Sequence, residues 1–252
     1  MPVLAIAMQK GGVGKTTTAR DLGAELARAG KTVLLIDIDP QGNLTQALGF
    51  DPTQITQSVY EVLLNPAQGP AFATLSTQYG VDLVPANLAL AGAELTLAGR
   101  IGRELLLRNA LVQARRQYDY VLLDCPPSLG IFTVNALTAA DAVIVPLQAH
   151  IFALKAMPQL EEAISLVQQL NPRLAIGGIV VTMMDRRTTV NTIVEDQIRA
   201  QYGELVFRSV IPFTVKLVET PASGAPVADY APDSAATRAY REMAQEVIER
   251  YG

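Results

Sequence analysis

The sequence predicts an α/β fold in which helices cover both faces of a single doubly wound, mostly parallel sheet. Short apolar runs alternate with longer helical patterns along the chain, which is typical of repeated strand–helix–strand units. The runs are almost continuously apolar, as expected for strands that are covered on both faces. Hydrophobic residues make up 50% of the 252 residues, which is enough for a core on each side of a sheet.

The order of the elements follows from these patterns. The predicted strands are residues 3–8, 32–37, 81–85, 120–124, 142–147, 175–182 and 205–211. The predicted helices are residues 15–29, 103–117, 154–170, 189–201 and 234–251. Residues 51–80 show weak periodicity and residues 221–232 are predicted to form a loop, but neither has the composition of a linker. We therefore predict one domain over residues 1–252, without an N-terminal helix-turn-helix extension.

Composition and charge exclude several classes of protein. The formal net charge of −4 argues against a chain coated in basic residues, although a local basic patch stays possible. Cys125 is the single cysteine, which excludes an internal disulfide framework and a four-cysteine metal site. The apolar runs are too short to span a bilayer, and a loop motif begins by residue 10 where a signal peptide would have its apolar region. We expect a cytoplasmic protein.

A glycine-rich loop lies between the first predicted strand and the first predicted helix. Glycines at these positions let backbone N–H groups converge on phosphate oxygens, and the helix N-terminus adds partial positive charge. Lys15 is predicted to contact the β- and γ-phosphates, and the Thr16 hydroxyl to coordinate Mg²⁺. The sequence therefore predicts a P-loop that binds ATP and Mg²⁺. The predicted nucleotide contacts in this loop are Lys10, Gly11, Gly12, Val13, Gly14, Lys15, Thr16 and Thr17.

The lysine that opens this loop resembles the deviant Walker A motif of the ParA/MinD group of ATPases. An ordinary P-loop would have a glycine where Gln9 or Met8 stands, whereas this loop begins with Lys10. The resemblance implies that Lys10 crosses a dimer interface to the phosphates held by the partner subunit, so that ATP binding is coupled to dimerisation. The alternative is a surface lysine that only raises the local positive potential.

Two acidic segments follow predicted strands, at the edge of the sheet where open α/β folds bind ligands. Residues 37–43 resemble the D-x-D-P-Q-G-N segment of the ParA branch, and the resemblance implies that Asp39 positions the hydrolytic water while Asp37 lies near the metal. A turn or N-cap role for these aspartates is the alternative. Asp124 ends an apolar strand, as in a Walker B motif, from which it would reach Mg²⁺ through water. The predicted catalytic residues are Lys10, Lys15 and Asp39, and the predicted metal residues are Thr16, Asp37 and Asp124.

A base pocket is predicted at the ends of the sixth and seventh strands. Met183, Pro212 and Phe213 lie at the carboxyl edge of the sheet, where this fold class holds a nucleobase. Adenine is therefore the expected base. For Met183, ordinary core packing is the alternative interpretation.

The same two strand ends resemble the DNA-contacting segments of chromosomal ParA proteins. Residues 185–188 read D-R-R-T where the family has D-G-R-T, and residues 211–216 read I-P-F-T-V-K where it has I-P-R-N-V-R. The resemblance places non-specific DNA contacts at Arg187 and Lys216, with Arg186 as an additional cation. Lysine keeps the charge of the family's arginine but loses its bidentate fork. Solvated surface charges are the alternative interpretation.

The resemblance extends from residue 3 to about residue 240 and is most specific in residues 9–43 and 120–130. It implies a slow, partner-stimulated ATP hydrolase that forms an ATP-bound homodimer. It further implies non-specific binding to double-stranded DNA on the nucleoid, and chromosome or plasmid segregation with a ParB-type partner, without a membrane.

Three alternatives accompany this interpretation. A related ATPase that positions another cargo along the nucleoid stays open, because cargo choice depends on the partner. A MinD-like membrane-cycling ATPase would need a basic amphipathic C-terminal helix, whereas residues 245–252 are acidic and short. A small-molecule ligase of the same P-loop group would need an acceptor-substrate motif, and none is recognisable.

Overall fold

The computed structural model describes residues 1–150 and 153–252. Its centre is an eight-stranded sheet with the strand order β3-β4-β2-β5-β1-β6-β7-β8. The strands are β1 (Val3–Ile6), β2 (Val33–Asp37), β3 (Leu75–Ser76), β4 (Asp82–Val84), β5 (Tyr120–Asp124), β6 (Ala142–Gln148), β7 (Ile176–Met184) and β8 (Val206–Pro212). The short strand β3 pairs antiparallel with β4, and the other pairings are parallel. The predicted mostly parallel sheet is confirmed, and β3 is an additional strand from the segment of weak periodicity.

Helices connect the strands on both faces of the sheet. They are α1 (Lys15–Arg28), α2 (Asn43–Ala47), α3 (Val59–Leu64), α4 (Ala93–Ala98), α5 (Leu106–Ala114), α6 (Ile131–Ala139), α7 (Met157–Val167), α8 (Thr189–Tyr202), α9 (Val215–Ser223), α10 (Val227–Tyr230) and α11 (Ala235–Tyr251). The five predicted helices correspond to α1, α5, α7, α8 and α11. None of the helices in the described ranges is long and apolar enough to cross a membrane.

The loop predicted over residues 221–232 is wrong, because α9 continues past Pro221 and α10 follows it. A proline inside a helix leaves the carbonyl four residues earlier without its usual N–H donor. Here the Thr220 hydroxyl donates to that carbonyl, on Leu217, at 3.0 Å. Because a neighbouring side chain replaces the missing donor, the helix extends to Ser223.

Alternate residues of the central strands enter two hydrophobic clusters, one on each face of the sheet. On β1, Val3 and Ala5 belong to the cluster covered mainly by α5, α6 and α7, whereas Leu4 and Ile6 belong to the cluster covered by α1 and α11. All four side chains are 0% exposed. Burial on both faces therefore explains why the strands are apolar throughout.

Strand order and register determine where the polar strand ends meet. The strand β1 lies between β5 and β6: the chain goes from β1 to β2 on the β5 side, and later crosses from β5 over β1 to β6 on the other side. The loop after β1 therefore opens at the point where the strand order reverses. Asp37 at the end of β2 is in register with Asp124 at the end of β5, and Asp124 is in register with Ile6. The two acidic strand ends therefore lie beside the glycine-rich loop.

Candidate nucleotide site and basic surface

The glycine-rich loop depends on backbone conformations that favour glycine. Gly12 and Gly14 have φ angles of 73° and 90°, in the left-handed region that L side chains rarely adopt. A Cβ at either position would meet no atom within 4 Å, so conformation and not crowding requires glycine. The Thr182 hydroxyl on β7 donates to the Val13 carbonyl at 2.9 Å. This contact fixes the loop against the sheet, in front of the first turn of α1.

Lys15 begins α1 as a mostly buried cation. Its side chain is 8% exposed, and its Nζ donates to the Lys10 carbonyl at 3.3 Å. Desolvation lowers the pKa of Lys15, while the nearby carboxylates of Asp124 and Asp39 oppose that shift. A desolvated ammonium at a helix N-terminus attracts phosphate oxygens strongly, because little water has to be displaced.

Asp37 organises the turn after β2. Its carboxylate accepts hydrogen bonds from the Thr45 backbone N–H at 2.8 Å, the Thr45 hydroxyl at 2.7 Å and the Asp39 backbone N–H at 3.2 Å. The side chain is fully buried, and burial raises its pKa to about 7. These bonds give Asp37 a clear role in holding residues 37–45 in place. Its proximity to a metal stays a prediction.

Asp124 is a fully buried carboxylate at the end of β5. It is 0% exposed, and neither of its oxygens has a hydrogen-bond partner among the described residues. Burial raises its pKa well above the usual range and Asp37 adds to the rise, while the adjacent Thr16 side chain opposes it. An unsatisfied buried carboxylate is costly unless a cation satisfies it. The carboxylate and the Thr16 hydroxyl are oxygen ligands that fit Mg²⁺, which commonly binds one or two protein groups together with phosphates and water.

Asp39 lines the larger of two cavities at this site. It is 6% exposed, its Oδ1 accepts from the Gln41 N–H at 3.0 Å, and its carbonyl accepts from the Gly42 N–H at 2.9 Å. The turn places its carboxylate in the wall of a cavity of about 460 Å³ that also includes Lys15 and Thr16. An aspartate in this place can orient a water molecule towards a terminal phosphate.

A second cavity, of about 190 Å³, adjoins the first through Gly14, Thr17 and Met183. Met183, Pro212 and Phe213 all line it, so the structure brings the predicted base contacts together. Met183 has φ 52°, a left-handed conformation that is unusual for a residue with a side chain. Sequence analysis missed other lining residues: Thr214, Leu217, Val218 and Tyr240 here, and Arg20, Gln41, Asn43 and Gln46 in the larger cavity.

Lys10 has a different environment from Lys15. Its Nζ donates to the Gln148 side-chain carbonyl at 3.4 Å, at the end of β6. The side chain is partly exposed, and it is not among the described residues that line the larger cavity. The two lysines of the loop therefore have different surroundings, and of the two only Lys15 lines the larger cavity.

The predicted DNA contacts lie at the carboxyl ends of β7 and β8. These two strands are neighbours in the sheet, so residues 185–188 and 213–216 share one edge. The side chains of Arg187, Arg186 and Lys216 are 85%, 70% and 51% exposed. The structure therefore places three cations on a common solvent-facing surface, which we call the basic edge.

Each cation of the basic edge has a carboxylate partner. Arg187 donates from Nε and Nη2 to the two oxygens of Asp185 at 2.9 and 2.7 Å, and these bonds lower the pKa of Asp185 to about 2. Arg186 lies 3.9 Å from Glu195, and Lys216 lies 3.3 Å from Glu219. Glu195 also pairs with Arg199, at 2.9 Å, so these carboxylates offset most but not all of the charge of the basic edge, which sequence analysis missed.

Comparisons with known proteins agree with this geometry. A family model described as an AAA domain matches residues 1–176. The sporulation initiation inhibitor protein Soj of Bacillus subtilis is 44% identical over 246 residues, covering 97% of each chain. The chromosome partitioning protein ParA of Caulobacter vibrioides is 48% identical over 251 residues, covering 98% of this chain and 94% of that protein.

The solved structures include an enzyme of Mycobacterium smegmatis. It is described as cobyrinic acid a,c-diamide synthase with bound ATP analog and magnesium. The two chains are 43% identical and superpose with a TM-score of 0.86. The match covers 99% of this chain and 95% of the Mycobacterium smegmatis chain. The nucleotide-bound relative therefore has the same fold over nearly the whole chain.

Proposed function

The chain belongs to the ParA/Soj family of P-loop ATPases, and from this premise we propose that it hydrolyses ATP slowly as part of a dimerisation cycle. ATP and Mg²⁺ bind in the larger cavity, and the ATP-bound homodimer binds double-stranded DNA without sequence preference. A ParB-type partner stimulates hydrolysis and so releases the subunits. This cycle acts in the cytoplasm, on the nucleoid, and segregates a chromosome or plasmid.

The observation that supports this proposal best is the orientation of Lys10. A lysine in a phosphate loop would be expected to contact the phosphates of its own subunit, as Lys15 is placed to do. Lys10 instead contacts Gln148 outside the cavity that Lys15 lines. A second subunit facing this surface would bring its own phosphates to Lys10, and this arrangement makes dimerisation depend on ATP.

The residues around the cavity divide the work of hydrolysis. The loop amides and Lys15 hold the phosphates and stabilise negative charge, and Asp39 holds the attacking water in line. Asp124 and Thr16 would hold Mg²⁺, which neutralises charge on the phosphate oxygens. Asp37 keeps Asp39 in place through the hydrogen bond to its backbone N–H.

Binding to DNA requires the basic edge to exchange its partners. Exposed ion pairs contribute little to stability because water and salt screen them. Phosphates can therefore replace Asp185 and Glu219 as partners of Arg187 and Lys216. Contacts to phosphates alone carry no sequence information, which supports non-specific binding.

The test combines two measurements on the wild-type protein with Mg²⁺. Light scattering should give the mass of a monomer with ADP and of a dimer with ATP. Fluorescence anisotropy with two duplexes of unrelated sequence should show similar affinities with ATP and much weaker binding with ADP. DNA binding that is equal with both nucleotides would contradict the proposal.

The activity named for the Mycobacterium smegmatis structure provides a second candidate, a synthase that converts carboxylic acids to amides. This candidate predicts that ATP hydrolysis depends on an acid and an ammonia donor. Cobyrinic acid, ATP and glutamine should then give a product whose mass shows acid groups replaced by amides. Hydrolysis that responds to DNA and a ParB-type protein, but not to these substrates, would exclude it.

A further inference from the structure

A buried arginine connects the larger cavity to the helix that carries Lys216. Arg20 lies on α1, is 1% exposed, and forms part of the cavity wall. Its Nη2 donates to the Thr220 hydroxyl on α9 at 2.6 Å. Thr220 is itself 0% exposed and lies one helical turn after Lys216. One guanidinium therefore contacts both the nucleotide site and α9.

The neighbouring aspartate extends this connection to the segment after α9. Asp21 accepts from Nε and Nη2 of Arg20, both at 2.9 Å, and its Oδ1 also accepts from the Val227 N–H, at the start of α10, at 2.9 Å. Asp21 is 1% exposed. Both the middle of α9 and the start of α10 are thus held by one ion pair of α1.

The far end of α9 rests on the segment that carries Asp39. At the C-cap of α9, the position of a Cβ on Gly224 would be 2.9 Å from the Cα of Gly49, just beyond α2. The two backbones are therefore in close contact.

A buried ion pair is a costly way to join helices, because apolar residues of similar volume often stabilise a core equally well. The Arg20–Asp21 pair differs from a purely structural ion pair because Arg20 also lines the larger cavity. Nη1 of Arg20 has no hydrogen-bond partner in the part of the chain that the structure describes. An anionic ligand in the cavity competes with Asp21 and Thr220 for this cation.

We propose that Arg20 is a positioning residue that relays the nucleotide state to α9 through Thr220. Filling the cavity with ATP changes the bonds of Arg20, α9 shifts with Thr220, and Lys216 moves into place for DNA. The proposal rests on the nucleotide-dependent DNA binding proposed above. It adds a route by which the two sites communicate, beside the direct contact of Leu217, Val218 and Pro221 of α9 with the cavities.

The first variant is Thr220→Val, which keeps the shape of the side chain but removes the hydroxyl, and with it both the bond from Arg20 and the bond to the Leu217 carbonyl. Arg20→Lys, described below, disturbs only the first of these bonds and so separates the two effects. We expect the ratio of DNA affinity with ATP to that with ADP to fall by at least about fivefold, the lower end of typical coupling between sites. ATP affinity measured without DNA should change less than twofold. By linkage, DNA should also lose its effect on ATP affinity.

Two further variants control for a change in folding. Thr220→Ser keeps the hydroxyl and should retain the wild-type ratio. Thr138→Val makes the same substitution at a buried threonine of α6 whose hydroxyl has no hydrogen-bond partner in the described part of the chain, and it should also retain that ratio. Arg20→Lys changes the α1 partner of the same contact. Because lysine lacks the forked donors of arginine, this variant should lower the ratio as Thr220→Val does.

The outcomes separate the relay from the proposed function. A wild-type protein that binds DNA equally with ATP and ADP would overturn the proposed function, and the relay with it. A wild-type protein that responds to nucleotide, together with Thr220→Val and Arg20→Lys variants that respond equally well, would overturn the relay alone. A normal ratio in Thr220→Ser and Thr138→Val, with a reduced ratio in the other two variants, supports it.

Discussion

Two carboxylates in register on neighbouring strands, Asp37 and Asp124, give the nucleotide site its most unusual charge environment. Both are fully buried, and burial raises the pKa of each. The sheet therefore brings two acidic groups together where water cannot stabilise their charges. A cation bound at Asp124 would offset this cost, and without it the two carboxylates destabilise the folded state at neutral pH.

The first prediction follows from the sign of these pKa shifts. A carboxylate whose pKa is higher in the folded state binds more protons there, so the free energy of unfolding should fall as pH rises from about 4 to about 7. For Asp37, whose folded pKa is about 7, the loss would be at most a few kcal/mol, at about 1.4 kcal/mol per pKa unit. Urea unfolding of the nucleotide-free protein across this range measures it.

Asp124→Asn is the matched variant for this measurement. It removes one of the two charges and should flatten the fall in stability between pH 4 and pH 7. It should also be more stable than the wild type at pH 7 without Mg²⁺, because asparagine carries no charge to bury. A pH dependence identical to that of the wild type would show that the carboxylate does not titrate in this range.

The second prediction concerns Asp39. The variant Asp39→Ala should bind ATP but hydrolyse it at least about 10²-fold more slowly, the lower end of the contribution from a positioned base. The ATP-bound dimer should therefore accumulate. Light scattering and phosphate release check the two effects on one sample. Asp51→Ala, at an exposed aspartate outside the described cavities, serves as the control, and slow hydrolysis in both variants would contradict the role of Asp39.

At the scale of elements, the third prediction concerns the proposed DNA contacts at the carboxyl ends of β7 and β8, which the salt dependence of binding tests. Each neutralised phosphate contributes about −0.9 to the slope of log K against log salt. Arg187 and Lys216 of two subunits would give a slope of roughly −3.6, and Arg187→Ala should reduce its magnitude by about 1.8. Anisotropy titrations with ATP at several salt concentrations measure the slope.

Arg115→Ala is the matched control for this prediction. Arg115 also forms an exposed arginine–aspartate pair, at 3.2 Å from Asp141, but Asp141 precedes β6 at the opposite edge of the sheet. Its replacement should leave the slope unchanged. Equal slopes for Arg187→Ala and the wild type would show that the basic edge is only a solvated surface.

Sequence patterns predicted most of the strands because they are short apolar runs buried on both faces, and the longer helices because their burial has a regular period. The helix α6 was missed because most of its residues are buried, so no polar face marks a helical period. The helix α9 was missed because Pro221 normally ends a helix, and only the contact between Thr220 and Leu217 shows why it continues. The sequence around Arg20 does not indicate that Arg20 contacts Thr220, which lies 200 positions later.

At the scale of the whole molecule, the fourth prediction concerns the role of Lys10 in ATP-dependent dimerisation. Lys10→Ala should bind ATP within about threefold of the wild type, because Lys10 lies outside its own subunit's cavity, but it should remain a monomer with ATP. Calorimetry and light scattering provide the two measurements. Lys31→Ala, in the connection between α1 and β2, should dimerise normally. Dimerisation of Lys10→Ala like that of the wild type would refute a role across the interface.

The left-handed backbone at Met183 permits a glycine substitution that should change which nucleotides the protein accepts. Glycine adopts φ 52° without strain, so Met183→Gly should fold well and enlarge the cavity of about 190 Å³ that it lines. The variant should hydrolyse ATP carrying a benzyl group on the adenine amino nitrogen, which the wild type should reject by at least about tenfold. Phosphate release with the two nucleotides measures this preference, and equal use of the analogue by the wild type would contradict it. In a cell that contains the variant, the synthetic nucleotide would then be hydrolysed selectively by this one ATPase.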